Sequence, residues 1–511
     1  MDPAAKPISV RNLVARALLF FLSVFLLRFV YVVTVHGGTC AAGDFCLFSS
    51  PAEALAVAGT GAGSASAAVA SVHAGLGSAA TPALWTSREW RKAVEFYSSV
   101  FQDLVAEGFL SPASRSLCVD SPAGYEVLAL REIGVADAVG VAKKSAPPLV
   151  VGGGADSFRL PFGNGTFDFV FAGRSLDRSK QPANLAAEIA RTLKPHWFMV
   201  VLTASARDAY SRHSLAELFP DCITVRSRVI HTPDSAKPLR EIVFQRQEGA
   251  PTASSNGKSG GGCPIPEHKL EILRWAEPLI EEEPLKPWIT LKRNLQNVRY
   301  LPSIADISFK PRYVYIDVGA RSYGSSIGGW FRKQYPKQNH TFEVYAIEAD
   351  RAFQNEYATK KGVKLLPFAA WVRNETLTFE INRDPENHDV EKGRGMGRIR
   401  PAGGSDGRVS SGEVHAIRGF DFAAWLRRTA TERDYVVMKM DVEGTEFDLV
   451  PRLLETGAIC LVDELFLECH YNRWQKCCPG KRSPKYRNTY GECLKLFTTL
   501  RESGVLVHQW W

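Results

Sequence analysis

At 511 residues, 45% hydrophobic and 23% charged, the chain has the composition of a folded globular protein and the length of two or three domains. Its net charge of +8 is modest for that length. No Lys/Arg run is dense enough for a nucleic-acid surface, so nucleic acid is not an expected partner.

Residues 1–16 read as a cytosolic tail. Residues 17–35, "ALLFFLSVFLLRFVYVVTV", are long enough to cross a bilayer as a helix at about 1.5 Å per residue. Lys6, Arg11 and Arg16 precede this run, and "HGGTCAAGDFCLFSS" after it has no Lys or Arg. That asymmetry predicts a single-pass type II signal anchor with the body in the lumen of the Golgi or endoplasmic reticulum. A cleaved signal peptide is the alternative, because small residues follow the run. N-x-S/T triplets at Asn164, Asn339 and Asn374 agree with a luminal body. Cys460, Cys469, Cys477, Cys478 and Cys493 crowd the C-terminus. In a lumen some would pair; zinc is the lesser reading, since adjacent Cys477-Cys478 lacks the C-x2-C spacing.

Residues 36–84, rich in Ala, Gly, Ser and Val, predict a low-complexity stalk. A first domain covers 85–246. Its opening stretch has helical spacing at Trp90, Val94, Tyr97, Phe101 and Leu104. "SLCVD", "DAVGVA", "FDFVFA" and "WFMVVLT" then read as buried strands, with "PANLAAEIARTLK" as a helix. Residues 247–266 form a linker by composition. A second domain, 267–511, repeats the alternation with "YVYIDVG", "FEVYAIEA", "VKLLPFAAW", "TLTFEI", "YVVMKMDV" and "DELFLECH". Arg383 to Gly412 reads as a long polar loop, either a lid or disorder. The fold class is α/β: two open, mostly parallel sheets covered by helices on both faces, after the anchor.

In such sheets ligands bind beyond the carboxyl ends of the strands. The residues there are Asp317, Gly319 and Gly324 after "YVYI", Glu348 after "VYAI", Asp441 and Glu443 after "YVVMKM", and Glu468 and His470 after "ELFL". Glycines let backbone approach a ligand, and an acid ending the second strand can accept both ribose hydroxyls of a nucleoside cofactor.

"YIDVGA", "AIEAD", "GFDFAAWL", "VMKMDVEGTEFDLV" and "LFLECH" together resemble the FkbM family of S-adenosylmethionine-dependent methyltransferases, over roughly Tyr313 to His470. The resemblance implies a seven-strand methyltransferase fold with S-adenosyl-L-methionine as cofactor. It implies that Asp317, Gly319 and Gly324 form the cofactor loop, that Glu348 holds the ribose, and that Asp441 and Glu443 face the transfer site. Arg321 departs from the family pattern, which has Asn there, and Gly324 comes one place late. "SFRLPFGNGTFDFVFAGRSLD" is similar to the type 11 methyltransferases, so the first domain looks like a second methyltransferase domain. Its loop "VDSPAGYE" has a single glycine, Gly124, and Ala142 and Lys143 stand where the ribose acid belongs. It reads as a degenerate, structural or regulatory unit. The whole chain resembles a plant family of membrane-anchored, methyltransferase-like proteins.

The expected reaction is O-methylation of a hydroxyl on a small-molecule or glycan acceptor. Asp441, Glu443 and His470 are the candidates to receive the hydroxyl proton. No metal site is assigned, although Asp441 could instead hold a metal that acidifies the hydroxyl. Two alternatives stand beside this reading. One is a non-catalytic, methyltransferase-like scaffold. The other is a Golgi glycosyltransferase, with "MDVEG" gripping a nucleotide diphosphate.

Overall fold

The computed structural model describes residues 87–153, 159–232, 237–248, 266–286, 290, 293–383, 394–400, 413–475, 478 and 480–510. The anchor expected at 17–35, the stalk at 36–84 and Cys477 lie outside them. Among the described residues no helix is long and apolar enough to cross a membrane. All that follows belongs to the unit Thr81–Trp511.

The first half opens on α1 (Arg88–Ala106), capped by Ser87, whose hydroxyl accepts the Trp90 amide at 3.2 Å. Trp90, Val94, Phe101 and Leu104 form its buried stripe, as the 3.6-residue period requires. Around it run β1 (Ser116–Val119), α2 (Tyr125–Glu132), β2 (Ala138–Ala142), β3 (Val150–Gly152), β4 (Phe167–Gly173), α3 (Pro182–Thr192), β5 (Leu193–Thr203), α4 (Ala209–Glu217), β6 (Cys222–Ile230) and β7 (Leu239–Arg246). The strands form one seven-stranded sheet in the order β3-β2-β1-β4-β5-β7-β6. All pairs are parallel except those of β7, which runs antiparallel to both neighbours.

The second half begins with α5 (Glu267–Arg274) and builds a six-stranded, wholly parallel sheet, β10-β9-β8-β15-β16-β17. These strands are β8 (Tyr313–Val318), β9 (Glu343–Ile347), β10 (Val363–Leu366), β15 (Tyr435–Met440), β16 (Glu464–Glu468) and β17 (Leu506–Trp510). The helices α6 (Arg351–Ala358), α7 (Phe422–Thr429), α8 (Glu446–Glu455) and α9 (Tyr490–Glu502) cover the sheet. Every residue of β8 and β15 is buried, as expected for central strands covered on both faces.

Three expectations change here. The seven-strand order lies in the first half, whereas the second half has six parallel strands. The chain leaves β16 through α9, which starts on a reciprocal Thr489/Glu492 capping box. A helical crossover of that kind returns the next strand parallel, where a hairpin would reverse it. Second, "VKLLPFAAW" is two strands in different sheets. Pro367 separates β10 from β11 (Ala369–Trp371), since proline cannot donate to a ladder. Third, part of the stretch read as one polar loop is a strand, while residues 384–393 and 401–412 lie outside the described residues. Arg394–Arg400 forms β13, pairing with β12 (Glu375–Arg383), and β14 (Glu413–Asp421) follows. With β11 they make a separate four-stranded sheet, β11-β14-β12-β13, packed on Trp371, Leu377, Phe379, Ile381 and Ile417.

The two halves share buried side chains. Tyr210 of α4 lies in the core of the second half and donates its hydroxyl to Asp463 at 3.2 Å. Phe309 lies in the core of the first. Fragments cut at the linker would expose both.

Candidate functional site

The carboxyl end of the six-stranded sheet carries the cleft. Strand order reverses between β8 and β15, so the loops leaving these neighbours diverge and open a crevice. The crevice has an empty volume of about 730 Å3. Gly319, Glu348, Asp441 and Glu443 line it together, with Arg321, Asp350, Val442 and Thr445 beside them.

Gly319 adopts φ 81°, and a Cβ there would lie 1.8 Å from the Asp441 carbonyl oxygen. Its glycine is needed for the approach of β8 to β15 as much as for any ligand. Glu348 ends β9 and is buried. One carboxylate oxygen accepts the Arg321 amide and the other the Asp350 amide, each at 2.6 Å. Burial pushes its carboxyl up to about 7. Arg321 sits in the left-handed region at φ 49°, and its guanidinium lies over the Phe353 ring at 5.5 Å. That conformation is uncommon for a residue with a long side chain and easier for Asn. Asp350 of "AIEAD" caps α6 through the Ala352 amide at 3.0 Å.

Asp317 and Gly324 stand apart from the cleft lining. Asp317 is fully buried, accepts a hydrogen bond from the Ser326 hydroxyl and lies 3.9 Å from the Lys439 ammonium. Burial raises its carboxyl. Gly324 is exposed, with open space where a Cβ would go.

Behind the Asp441 and Glu443 end of the cleft, the charges of "KMDVEGTE" gather around the buried His470, which is not itself among the lining residues. Lys439 is buried 3.5 Å from Asp441 Oδ2. Burial opposes its charge, but Asp441 and Asp317 outweigh that and raise its pKa. Glu443 Oε2 accepts from the Lys485 ammonium at 2.8 Å and from the Tyr486 hydroxyl. Glu446 is fully buried, and its Oε1 accepts the His470 amide at 2.6 Å and faces Nδ1 at 3.2 Å. His470 Nε2 points at Asp441 Oδ1 (3.7 Å), Glu468 Oε1 (3.8 Å) and Glu443 Oε1 (3.9 Å). Burial alone would lower the ring's pKa; Glu446, then Glu443 and Asp441, lift it to about 9. Against burial, Lys439 and His470 hold the Asp441 carboxyl below its usual range, while burial and then Asp441 push Glu468 up to about 7. The Cys469–Cys493 disulfide ties the residue before His470 to α9. Cys460 is also disulfide-bonded.

The apolar wall of the cleft was not foreseen from sequence. Phe353 comes from α6, Phe368 follows β10, and Phe379, Gly397 and Ile399 come from the four-stranded sheet. The available signal was the alternation Leu377, Phe379, Ile381, which puts one apolar face on β12.

In the first half a cavity lies elsewhere, lined by Ala183, Arg191, Leu218 and Arg246 together with Pro311 and Arg433 of the second half. Lys143 follows β2 as an exposed cation, where an acid would be needed to accept ribose hydroxyls. A Cβ on Gly124 would meet Leu149 and Val150 side-chain atoms at 3.0–3.2 Å, so the space by that loop is filled.

Comparison with known proteins draws the line differently: the methyltransferase match falls on the first half, not on the half that carries the cleft. Residues 134–201 match a family described as a methyltransferase domain. The match begins after β1 and its single-glycine loop. It gives the chain an S-adenosylmethionine-dependent methyltransferase-type domain and supports S-adenosyl-L-methionine as cofactor. Residues 273–380 and 406–511 match a family described as "Domain of unknown function (DUF7870)". No curated protein matches the chain. Among solved structures, a putative methyltransferase from a Haloferax volcanii complex with the Trm112 activator is 13% identical, covering 33% of this chain and 100% of its own, at a TM-score of 0.26. A Burkholderia thailandensis 1,6-didemethyltoxoflavin-N1-methyltransferase with bound S-adenosylhomocysteine is 15% identical, covering 35% and 85%, also at 0.26. An Aquifex aeolicus SAM-dependent methyltransferase is 14% identical, covering 29% and 89%, at 0.24.

Proposed function

We propose that the second half is the methyl-transferring unit, of FkbM type. It acts on a hydroxyl of a small-molecule or glycan acceptor, with the first half as its structural partner. The observation that carries this reading is Glu348, a carboxylate at the end of β9, sharing one cleft with Gly319 and Asp441 at the switch point of a parallel sheet. A nucleoside lying there would offer its ribose hydroxyls to Glu348 and its base to the Phe353, Phe368 and Phe379 wall. Its sulfonium would then point toward Asp441. In the transfer, the S–CH3 bond breaks with its electron pair going to sulfur, the O–CH3 bond forms, and the hydroxyl proton leaves to a basic group at the Asp441 end.

Calorimetric titration of the full chain with S-adenosylmethionine tests this. Hydrogen bonds to a charged acceptor contribute roughly 1.5–3 kcal/mol each, so Glu348→Ala should weaken binding about tenfold or more, with Glu348→Gln between the two. Because the Glu348 carboxyl sits at about 7, the parent should bind more tightly at pH 8 than at pH 6. Thermal melting must show that the variants fold, since Glu348 also holds the Arg321 and Asp350 amides. Parent-like affinity in folded Glu348→Ala would remove the main support for a nucleoside cofactor here.

We further propose a type II chain anchored by residues 17–35, with its body in the Golgi or endoplasmic reticulum lumen. The three exposed sequons and the Cys469–Cys493 disulfide support it, since disulfides persist in oxidising compartments. The body should resist protease in intact vesicles, and glycosidase should shift its mobility. Complete digestion with no mobility shift would exclude this topology.

A further inference from the structure

His470 raises a question that proton transfer alone does not answer. The side chain is 4% exposed, and its Nε2 makes no hydrogen bond among the described residues, yet it faces three carboxylate oxygens at 3.7–3.9 Å. That spacing is too long for hydrogen bonds and leaves a gap between the groups. The outer oxygens of two of these carboxylates are already held. Lys439 is on Asp441 Oδ2, and Lys485 and Tyr486 are on Glu443 Oε2. The oxygens turned inward, Asp441 Oδ1 and Glu443 Oε1, face the ring nitrogen. One ligand atom from each of Asp441, Glu443 and His470 lies within 4.8 Å of the others, a triangle that an ion with bonds of about 2.0–2.2 Å would span after slight contraction.

The surroundings fit an ion as well. Glu446 faces Nδ1, and if the ring donates from Nδ1, the Nε2 lone pair is left pointing into the gap. Carboxylates that fix a ligating histidine in this way are a regular outer shell of metal sites. Four carboxylates (Asp441, Glu443, Glu446 and Glu468) lie around the ring against three nearby cations, Lys439, Lys485 and Arg473, leaving room for one more positive charge, which a proton on Nε2 or a divalent ion in its place can supply. The Cys469–Cys493 disulfide and the Glu446 bond to the His470 amide hold the backbone in place, so the site needs little ordering.

We propose that Asp441, Glu443 and His470 bind one divalent transition-metal ion at the acceptor end of the cleft, with Glu468 within reach as a further oxygen ligand. One imidazole with two or three carboxylates suits Mn2+ or Zn2+ better than a soft thiolate metal. The inference rests on the methyltransferase reading only for its use. There, the ion would bind the acceptor hydroxyl oxygen as a Lewis acid and ease loss of its proton. The acceptor would therefore be an oxygen ligand, such as a hydroxyl flanked by a second oxygen donor.

The test is Mn2+ titration of the full chain, purified in detergent after chelator treatment, with free Mn2+ followed by electron paramagnetic resonance. One equivalent should bind and raise the melting temperature. His470→Gln should weaken binding at least tenfold. Glu443→Gln, which keeps the side chain's shape and an oxygen for Lys485 and Tyr486, should weaken it by several fold. No Mn2+ binding by the parent, or parent-like binding by both folded variants, would overturn the site. A parallel S-adenosylmethionine titration without metal keeps the two ideas apart. Mn2+ bound with no cofactor supports the ion site and removes only the methyltransferase use. Cofactor bound with no Mn2+ overturns the ion site alone.

Discussion

Replacing His508 by leucine should lower the melting midpoint at pH 6 by on the order of 10 °C. His508 lies on β17 with no exposed surface. Its Nδ1 faces Glu277 Oε1 at 2.7 Å and its Nε2 faces Glu464 Oε1 at 2.9 Å, and both acids are buried. Glu464 also accepts the Leu301 amide and the hydroxyls of Tyr335 and Tyr435. Removing the imidazolium would leave two buried carboxylates, with Arg501 3.9 Å from Glu277 as the cation that pairs with them among the described residues. Breaking a buried ion pair from one side costs about 3–5 kcal/mol. Burial would lower the His508 pKa, but the two carboxylates outweigh it and lift it to about 9. A folded-state pKa above the unfolded value of about 6.5 stabilises fully below that value and is lost as pH rises through 9. The parent midpoint should therefore fall between pH 6.5 and 9.5, and the gap to His508→Leu should shrink over that range. Equal midpoints at pH 6 would show that the triad contributes nothing.

That triad was invisible in the sequence, and the reason is general. Glu277, Glu464 and His508 are far apart in the chain and meet only when β17 returns parallel beside β16. By contrast, the ends of β8, β9, β15 and β16 were legible, because long apolar runs change abruptly to Asp, Gly, Glu and His at the edge where ligands bind. The charges of "YVVMKMDVEGTE" are not all solvated: Lys439, inside β15, and Glu446, after it, are buried. What the run of letters could not give was orientation. Asp317 and Asp441 both end central strands and look equivalent, yet Asp317 turns inward to Ser326 while Asp441 lines the cleft. The four-stranded sheet was missed because its β13 arises from Arg394–Arg400, a Gly/Arg stretch without apolar alternation. Gly397 is required there, because a Cβ would lie 2.1 Å from the Phe379 ring. The first half has the seven-strand order that was expected of the second, while Lys143, already out of place in the sequence, stands exposed after β2.

Gly319 and Gly324, which looked alike as members of one loop, should respond oppositely to the same substitution. Gly319→Ala places a methyl 1.8 Å from the Asp441 carbonyl oxygen, far inside van der Waals contact. Neither partner can retreat cheaply. The Gly319 amide donates to the Ile347 carbonyl at 3.0 Å, and the Asp441 amide donates to the Val318 carbonyl at 2.9 Å, so relief would mean opening main-chain bonds in the middle of the sheet. The left-handed φ of 81° adds about 1–2 kcal/mol for a residue with a Cβ. Together these effects should destabilise the second half by more than about 3 kcal/mol, at the severe end for a single substitution. Any folded fraction should lose S-adenosylmethionine binding at least tenfold, because the loop that must move lines the cleft between Glu348 and Asp441. Gly324→Ala adds a methyl to open space at an exposed position, so its midpoint and cofactor affinity should match the parent, within about 0.5 kcal/mol. Thermal melts and cofactor titrations of the two variants side by side check both halves of the claim. If Gly324→Ala weakened binding as much as Gly319→Ala, the cofactor would lie further along the loop than the cleft indicates. If Gly319→Ala melted with the parent, the close approach of β8 and β15 would not be what holds the cleft in shape.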